Sequence, residues 1–202
     1  MKTVRAVLGA TCCITFLLIH SVQVHSELVL PNPLENTLES IQNPQDLVQL
    51  MRDHFKFVDD YDLFGTLDYW QSPEEFWASK TGDCEDYALF AKFVLEKKGM
   101  EAFVVSLYGP HGYGHTITLY REKERFNVIN EDRLYQYESK TVEEALSRVN
   151  PQWTWGAFAE QKGTRGWPLR TIKNPTYLIQ LAKKKERKAF FLFRIFEIFK
   201  RS

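Results

Sequence analysis

Three runs with a period of two follow a helix-patterned segment, and this order limits the possible fold more than any other feature. The runs lie at 102–108, 115–120 and 126–130 and are rich in β-branched and aromatic residues. Alternation of this kind is typical of strands that bury one face, and short connections favour antiparallel pairing. We therefore expect an α+β fold in which a helix from Cys84 to about Lys98 packs on an antiparallel sheet.

Helix start and stop signals support this arrangement. Pro44 suits a first helical position, because the N–H that proline lacks would have no partner within the helix there. Ser72, three residues before Glu75, has the spacing of a capping box. Asp83 is a suitable N-cap for the helix that carries Cys84. Helices are expected from Pro44 to about Phe55, from Ser72 to near Lys80, from Cys84 to about Lys98 with a stop at Gly99, and from Thr141 to Pro151.

The second and third runs predict their own pairing. A hairpin that turns through the charged segment 121–125 can pair Leu119 with Phe126 and His115 with Asn130. This register joins the apolar faces of the two strands and brings the Cβ atoms of His115 and Asn130 to roughly 4.5–5.5 Å. A slip of one residue would break both matches.

The N-terminus has the pattern of a secretory signal. Lys2 and Arg5 precede an apolar run at 6–19, and Val24 and Ser26 occupy the positions that a cleavage site requires. The run is shorter than the about 20 residues that a membrane-spanning helix needs. We expect cleavage after Ser26 and a secreted or periplasmic protein.

Removal of that leader would leave one thiol. Cys12 and Cys13 lie within the leader, so Cys84 becomes the lone cysteine. Such a cysteine is an inert core residue, an intermolecular partner or a reactive site. A helix start, followed 31 residues later by the strand residue His115, favours a reactive site. Three acidic neighbours oppose thiolate formation: Asp83, Glu85 and Asp86.

Charge is distributed unevenly along the chain. The totals are 26 basic and 26 acidic residues, yet the segment 183–202 has eight basic residues against two acidic ones. The body therefore carries a net charge of about −8, which argues against nucleic-acid binding. The basic, phenylalanine-rich tail fits either an amphipathic helix at a membrane surface or a helix docked on the domain. We expect a leader at 1–26, one domain at 27–180 and the tail at 181–202.

Three motifs carry a family resemblance. G-D-C-E-D-Y-A opens the helix at 82–88, G-H-x-x-x-x-Y lies on a strand at 114–120, and V-I-N closes the next strand at 128–130. From about Ser72 to Asp132 the chain resembles the transglutaminase-like branch of the papain-like cysteine enzymes, especially the bacterial cysteine proteinase-like members. The resemblance implies a papain-like (transglutaminase-like) fold and amide chemistry through a thioester.

The resemblance also implies catalytic roles. Cys84 matches the nucleophile, His115 the base, and Asn130 the third member, at a position where the family commonly has aspartate. Asp132 has the same strand parity as Asn130 and is the alternative third member. A helix N-terminus and an adjacent imidazolium lower the pKa of a thiol from about 8.5. The unpaired backbone N–H of Cys84 can donate to an oxyanion.

Other assignments remain open at this point. Cys84, His111 and His115 could gather around zinc with Asp86, although their spacing is not that of familiar zinc ligands. Cys84 could also be a buried apolar residue, because cysteine is among the most buried residue types.

Several aromatic and amide side chains near the motifs could line the cleft or belong to the core. Gln71 and Trp77 lie upstream of the cysteine and could reach the cleft. Trp153, Trp155 and Trp167 have glycines nearby and could form a loop-rich aromatic wall of the cleft or belong to the core.

We expect an exported cysteine-dependent amide hydrolase or acyltransferase, either a peptidase or a transglutaminase-like enzyme. Its partners would be peptide or protein substrates, with no cofactor, no metal and no nucleic acid. The alternative is a catalytically inactive member that keeps the fold as a binding module at a membrane or cell surface. The pair Cys84 and His115 favours the enzyme, and the missing aspartate favours the binding module.

Overall fold

A six-stranded antiparallel sheet with helices on both faces positions the predicted site. The computed structural model describes residues 33–112, 114–179 and 183–185. Its helices are α1 (Pro33–Ser40), α2 (Pro44–His54), α3 (Asp60–Phe64), α4 (Pro73–Ser79), α5 (Cys84–Lys97) and α6 (Val142–Val149). Its strands are β1 (Lys56–Phe57), β2 (Thr81–Gly82), β3 (Glu101–Tyr108), β4 (Gly114–Glu122), β5 (Arg125–Asn130), β6 (Arg133–Ser139), β7 (Trp155–Lys162) and β8 (Arg165–Lys173).

The sheet has the order β6-β5-β4-β3-β7-β8, and every neighbouring pair of strands is antiparallel. β1 and β2 form a separate parallel pair. The mixed α and β architecture with an antiparallel sheet is confirmed. β6, β7 and β8 are additions to the three predicted strands.

The helices begin at the capping residues that the sequence indicates. Asn43 Oδ1 accepts hydrogen bonds from the backbone N–H groups of Gln45 and Asp46 at 2.9 and 3.0 Å. At the start of α4, the Glu75 N–H donates to Ser72 Oγ at 3.2 Å and the Ser72 N–H donates to Glu75 Oε2 at 2.7 Å. Each cap satisfies donors that a helix start leaves without partners. The four predicted helices are confirmed as α2, α4, α5 and α6.

The hairpin between β4 and β5 is tighter than predicted. Leu119 pairs with Val128 and not with Phe126, so the predicted register is wrong by two residues. Lys123 and Glu124 form the turn, with φ angles of 48° and 60°. Two-residue hairpin turns often need positive φ, but they are usually marked by asparagine, aspartate or glycine, which this turn lacks. A shift of two residues keeps every side chain on its predicted face.

Both faces of the sheet are covered. On one face α2, α4 and α5 pack on the sheet, and the Thr118 hydroxyl donates to the Ala88 carbonyl at 2.8 Å, which ties α5 to β4. On the other face α6 and the buried Trp153 cover a cluster that includes Val105, Leu107, Ile117, Leu119 and Val128. The apolar face predicted for β4 and β5 is part of this second cluster.

The three C-terminal tryptophans have different environments. Trp153 is fully buried, whereas Trp155 and Trp167 are 39% and 55% exposed. Trp155 lies on β7 and Trp167 on β8, so the expectation of a loop-rich segment is wrong there. β8 is an edge strand and contains Pro168, which an edge strand tolerates because one side of it has no partner strand.

The predicted leader at 1–26 and most of the predicted tail lie outside the described residues, and both stay predictions. None of the helices in the described part of the chain is long and apolar enough to cross a bilayer.

Candidate active site

Cys84 is the first residue of α5 and lines a cleft of about 420 Å³. The backbone N–H groups of a first helical turn have no partners within the helix, and the helix dipole is positive there. The Thr116 N–H of β4 donates to Cys84 Sγ at 3.4 Å. His115, the neighbour of Thr116, lines the same cleft. A thiol and an imidazole therefore share one cleft.

Asn130 orients the imidazole of His115. His115 Nε2 lies 2.7 Å from Asn130 Oδ1. An amide oxygen only accepts hydrogen bonds, so Nε2 carries the proton and Nδ1 of the neutral ring has the free lone pair. Because Thr118 pairs with Ile129, Asn130 lies diagonal to His115 and not directly opposite. Diagonal neighbours remain within reach of long side chains.

Asp132, the alternative third member, lies away from the imidazole. Its carboxylate is 3.8 Å from Arg52 Nε and 3.8 Å from Arg133 Nε. Arg52 also donates to the Asp132 carbonyl at 2.9 Å. The structure therefore places Asn130, and not Asp132, against His115.

The residues before Cys84 hold the start of α5 in place. A Cβ atom on Gly82 would lie 2.1 Å from Asp86 Oδ2, so the chain can pass here only as glycine. The carboxylate of the fully buried Asp86 accepts hydrogen bonds from the Gln71 N–H at 2.8 Å and from Gln71 Nε2 at 2.7 Å. It also accepts from the Asp83 N–H at 3.2 Å. The G-D-C-E-D motif thus locks the segment before α4 to the start of α5.

Gln71 and Trp77 do not reach the cleft. Gln71 is 2% exposed and is held by Asp86. Trp77 stacks on Phe90 with ring centroids 6.1 Å apart. The neighbour of Gln71 in the sequence, Trp70, lines the cleft instead.

Carboxyl groups form one side of the cleft. Asp59, Asp68, Asp83 and Glu85 line it, and its described lining residues include no lysine and no arginine. Burial raises the pKa of Asp83 and the pKa of Glu85, each to about 9, because a charged carboxylate loses its hydration there. Both buried groups are therefore protonated at neutral pH, which removes much of the repulsion that these acids would exert on a thiolate.

Glu85 contacts the sulfur directly, a contact that the sequence does not reveal. The Cys84 thiol donates to Glu85 Oε2 at 3.1 Å. Burial raises the pKa of the Cys84 thiol, and the hydrogen bonds from Thr116 and with Glu85 act in the opposite direction. A protonated Glu85 can donate to the sulfur once the thiol has lost its proton. The resting thiol is therefore neutral, and a nearby base is needed to activate it.

Carboxyl oxygens in this region could hold a hard cation. Ligand atoms of Asp60, Asp83 and Asp86 lie within 4.8 Å of one another, as do those of Asp60, Asp68 and Glu85. Sets made only of carboxylate oxygens suit calcium or magnesium only when the groups are deprotonated. Each set contains a carboxyl, Asp83 or Glu85, whose pKa of about 9 keeps it protonated at neutral pH.

The alternative zinc set is not brought together. Among the described residues, the groups with metal-binding spacing contain no histidine. The carboxylate of Asp86, the fourth member of that set, is occupied by Gln71 and by the N–H of Asp83.

No protein-family model and no curated protein sequence matches this chain. Among solved structures it is similar to LapG of Legionella pneumophila, with 17% identity and a TM-score of 0.41, over 78% of this chain and 80% of that one. The calcium-bound form of LapG gives 17% identity and a TM-score of 0.40, over 75% of this chain and 82% of that one. A candidate cysteine protease from Cytophaga hutchinsonii gives 12% identity and a TM-score of 0.39 over 50% of this chain, which spans only 35% of that protein.

Proposed function

We propose that this protein is an exported cysteine-dependent amide hydrolase or acyltransferase that acts on peptide or protein substrates. The observation that carries the proposal is the 2.7 Å hydrogen bond between His115 Nε2 and Asn130 Oδ1, because His115 lines the same cleft as Cys84. This bond leaves Nδ1 free to act as a base in the cleft that also holds the Cys84 thiol at a helix N-terminus. Thiol, oriented base and helix N-terminus are the parts that nucleophilic acyl transfer requires.

The reaction has two halves. His115 Nδ1 takes the proton of Cys84, and the sulfur attacks the carbonyl carbon of the amide. The C–N bond then breaks, and the proton held by His115 goes to the departing amine. A thioester between Cys84 and the acyl group remains. Water that gives a proton to His115 attacks the thioester and releases a carboxylic acid and the thiol, whereas an amine in place of water forms a new amide.

Asn130 and the start of α5 assist both halves. Asn130 keeps the imidazole in one orientation and accepts a hydrogen bond from the imidazolium that forms. The N–H of Cys84 is free of helical partners and can donate to the oxyanion of the tetrahedral intermediate. Loss of one such donor typically costs about 10²–10³ in rate.

The proposal includes export of the protein from the cytoplasm. The leader at 1–26 would direct the domain at 27–180 to the periplasm or the cell exterior. The basic tail at 181–202 would then meet an anionic membrane surface.

A peptide-binding module without catalysis is the second candidate. Burial raises the pKa of the Cys84 thiol and outweighs the opposing hydrogen bonds from Thr116 and with Glu85. The net direction favours a thiol that stays protonated. In that case the cleft would hold a peptide without breaking a bond.

Incubation of a defined peptide mixture with the wild type and with Cys84→Ala, followed by mass spectrometry, tests the proposal. A primary amine is added to half of the samples. Hydrolysis creates new peptide termini, acyl transfer adds the amine, and deamidation converts glutamine into glutamate. We expect products with the wild type and none with a folded Cys84→Ala protein. Equal products from both proteins contradict the enzyme, and peptide binding without any product favours the module.

A further inference from the structure

A small apolar groove adjoins the cleft. It has a volume of about 280 Å³ and is lined by Trp70 and by residues of β3, β7 and β8. Trp70, Ser106 and Tyr108 line both the groove and the cleft. The groove is therefore adjacent to the cleft that holds Cys84, and the two share part of their walls.

Trp70 is held at the junction by its neighbours. The Trp70 N–H donates to the Thr164 carbonyl at 3.1 Å, and the indole Nε1 donates to Asp68 Oδ1 at 2.9 Å. A Cβ atom on Gly166 would lie 2.1 Å from the Trp70 ring, so the absence of a side chain there lets the indole lie against β8. These contacts fix Trp70 in the wall that the groove and the cleft share.

A stacked pair of aromatic residues forms a second wall of the groove. Tyr108 and Trp155 stack with centroids 3.9 Å apart and an angle of 10° between the rings. These two residues are direct partners across β3 and β7. Ala157 and Ala159 form the floor and leave the space between the walls open. Stacked rings lose little conformational entropy when they bind an apolar group.

The groove differs from the cleft in its chemistry. Its described lining residues carry no charge, whereas four carboxyl groups line the cleft. The Ser106 hydroxyl is already paired with the Thr116 hydroxyl at 2.9 Å. With about 280 Å³, the groove lies just below the roughly 300–1,000 Å³ of sites that bind whole small molecules, so it suits a single side chain.

We infer that this groove is a specificity subsite that binds an apolar side chain of the peptide substrate, within two residues of the carbonyl that Cys84 attacks. The inference rests on the proposed function, because a side chain reaches the groove only when the backbone lies in the cleft. Burial of a leucine-sized side chain there strengthens binding by about 10- to 100-fold relative to glycine.

Three chloromethyl ketone probes test the inference on the protein from Glu27 onward. They are acetyl-Gly-Gly, acetyl-Leu-Gly and acetyl-Gly-Leu chloromethyl ketone, each of which alkylates Cys84 with loss of chloride. The second-order rate of labelling is measured by mass spectrometry. We expect one leucine probe to label the wild type about 10- to 100-fold faster than the glycine probe.

Two variants and one matched control test whether the preference for leucine depends on the groove. Trp155→Ala removes a wall, and Thr171→Leu fills the groove from an exposed position on β8. Trp167→Ala removes another exposed tryptophan that does not line the groove. The leucine preference should fall below about threefold in the first two variants and persist in the control.

The outcomes separate the inference from the proposed function. Labelling that depends on His115 but is equal for the three probes overturns the subsite and leaves the nucleophile in place. Labelling that is unaffected by His115→Ala contradicts the proposed function. A leucine preference that survives both groove variants overturns the subsite as well. Conversion of a dimer into a monomer by Trp155→Ala, with the probe preference unchanged, would assign the groove to a second copy of the chain instead.

Discussion

Asn130 determines how His115 can work. Its amide oxygen accepts a hydrogen bond from the Nε2–H group of His115, so the other ring nitrogen, Nδ1, is the one that can act as a base. Amide and carboxylate oxygens both orient an imidazole, but a carboxylate also stabilises the imidazolium through its charge. Asn130 is therefore an orienting group with a weaker electrostatic effect than an aspartate at the same position would have.

Replacement of Asn130 by alanine should slow labelling of Cys84 by iodoacetamide at pH 7 about tenfold or more, because the imidazole loses its orientation. Asp132→Ala is the matched control, because its ion pairs are partly exposed and its carboxylate does not touch His115. Labelling rates of that control should lie within about twofold of the wild type. Slower labelling of Asp132→Ala than of Asn130→Ala would contradict the assignment.

Gly82→Ala should lower the free energy of unfolding by about 1–3 kcal/mol, because its Cβ would clash with the buried Asp86 carboxylate. Gly109→Ala is the control, since a Cβ there meets nothing within 4 Å. It should change stability by less than about 0.5 kcal/mol. Urea denaturation measures both variants, and equal midpoints would show that the close packing at Gly82 is unimportant.

At the scale of elements, the start of α5 holds three acids whose protonation affects stability. Burial raises the pKa of Asp86 to about 7 and the pKa values of Asp83 and Glu85 to about 9. A carboxyl whose pKa is higher in the folded protein than in the unfolded chain stabilises the fold fully at acidic pH. That stabilisation is lost as the pH rises from the unfolded pKa through the folded one.

The free energy of unfolding should therefore fall as the pH rises from about 4.5 to 9, with a slope of up to about 1.4 kcal/mol per pH unit for each such carboxyl. Glu85→Gln removes one of these groups and keeps an amide of similar shape. Urea denaturation at several pH values should show a shallower slope for Glu85→Gln than for the wild type. Stability that rises with pH in the wild type would mean that these carboxyls are not buried as described.

Elements with local signals were predictable, and elements without them were not. Asn43, Ser72 and Asp83 mark helix starts because short polar side chains and carboxylates suit capping. The turn Lys123–Glu124 carries no such mark, so the hairpin register was predicted two residues away from the observed one. β7 was missed because Gly156, Ala157 and Ala159 interrupt its apolar pattern, and β8 was missed because most of its residues are exposed and show no alternation.

In the site, too, features with a local sequence signal were predictable and features without one were not. The placement of His115 near Asn130 could be predicted because parity along the strands survives a shift of two residues. The contact of Glu85 with the sulfur and the groove behind Trp70 depend on tertiary packing, which no local pattern encodes.

At the scale of the whole molecule, two adjacent cavities provide two environments. The cleft carries the thiol, the imidazole and four carboxyl groups, and the groove is apolar. The antiparallel sheet connects the two, because β3 lies between β4, which carries His115, and β7, which carries the groove floor. Catalysis and side-chain selection would therefore be built on the same rigid strands, which hold a site more precisely than loops do.

The most direct test of the central claim is the rate at which iodoacetamide alkylates Cys84 in the protein from Glu27 onward, measured from pH 4 to 9 by mass spectrometry. Burial raises the pKa of the thiol, so activation has to come from His115. We expect the wild type to react at least about tenfold faster than His115→Ala at pH 7, because a positioned base contributes factors of this size or larger. Equal rates in the two proteins across the whole pH range would contradict the account and leave a peptide-binding module as the function of the cleft.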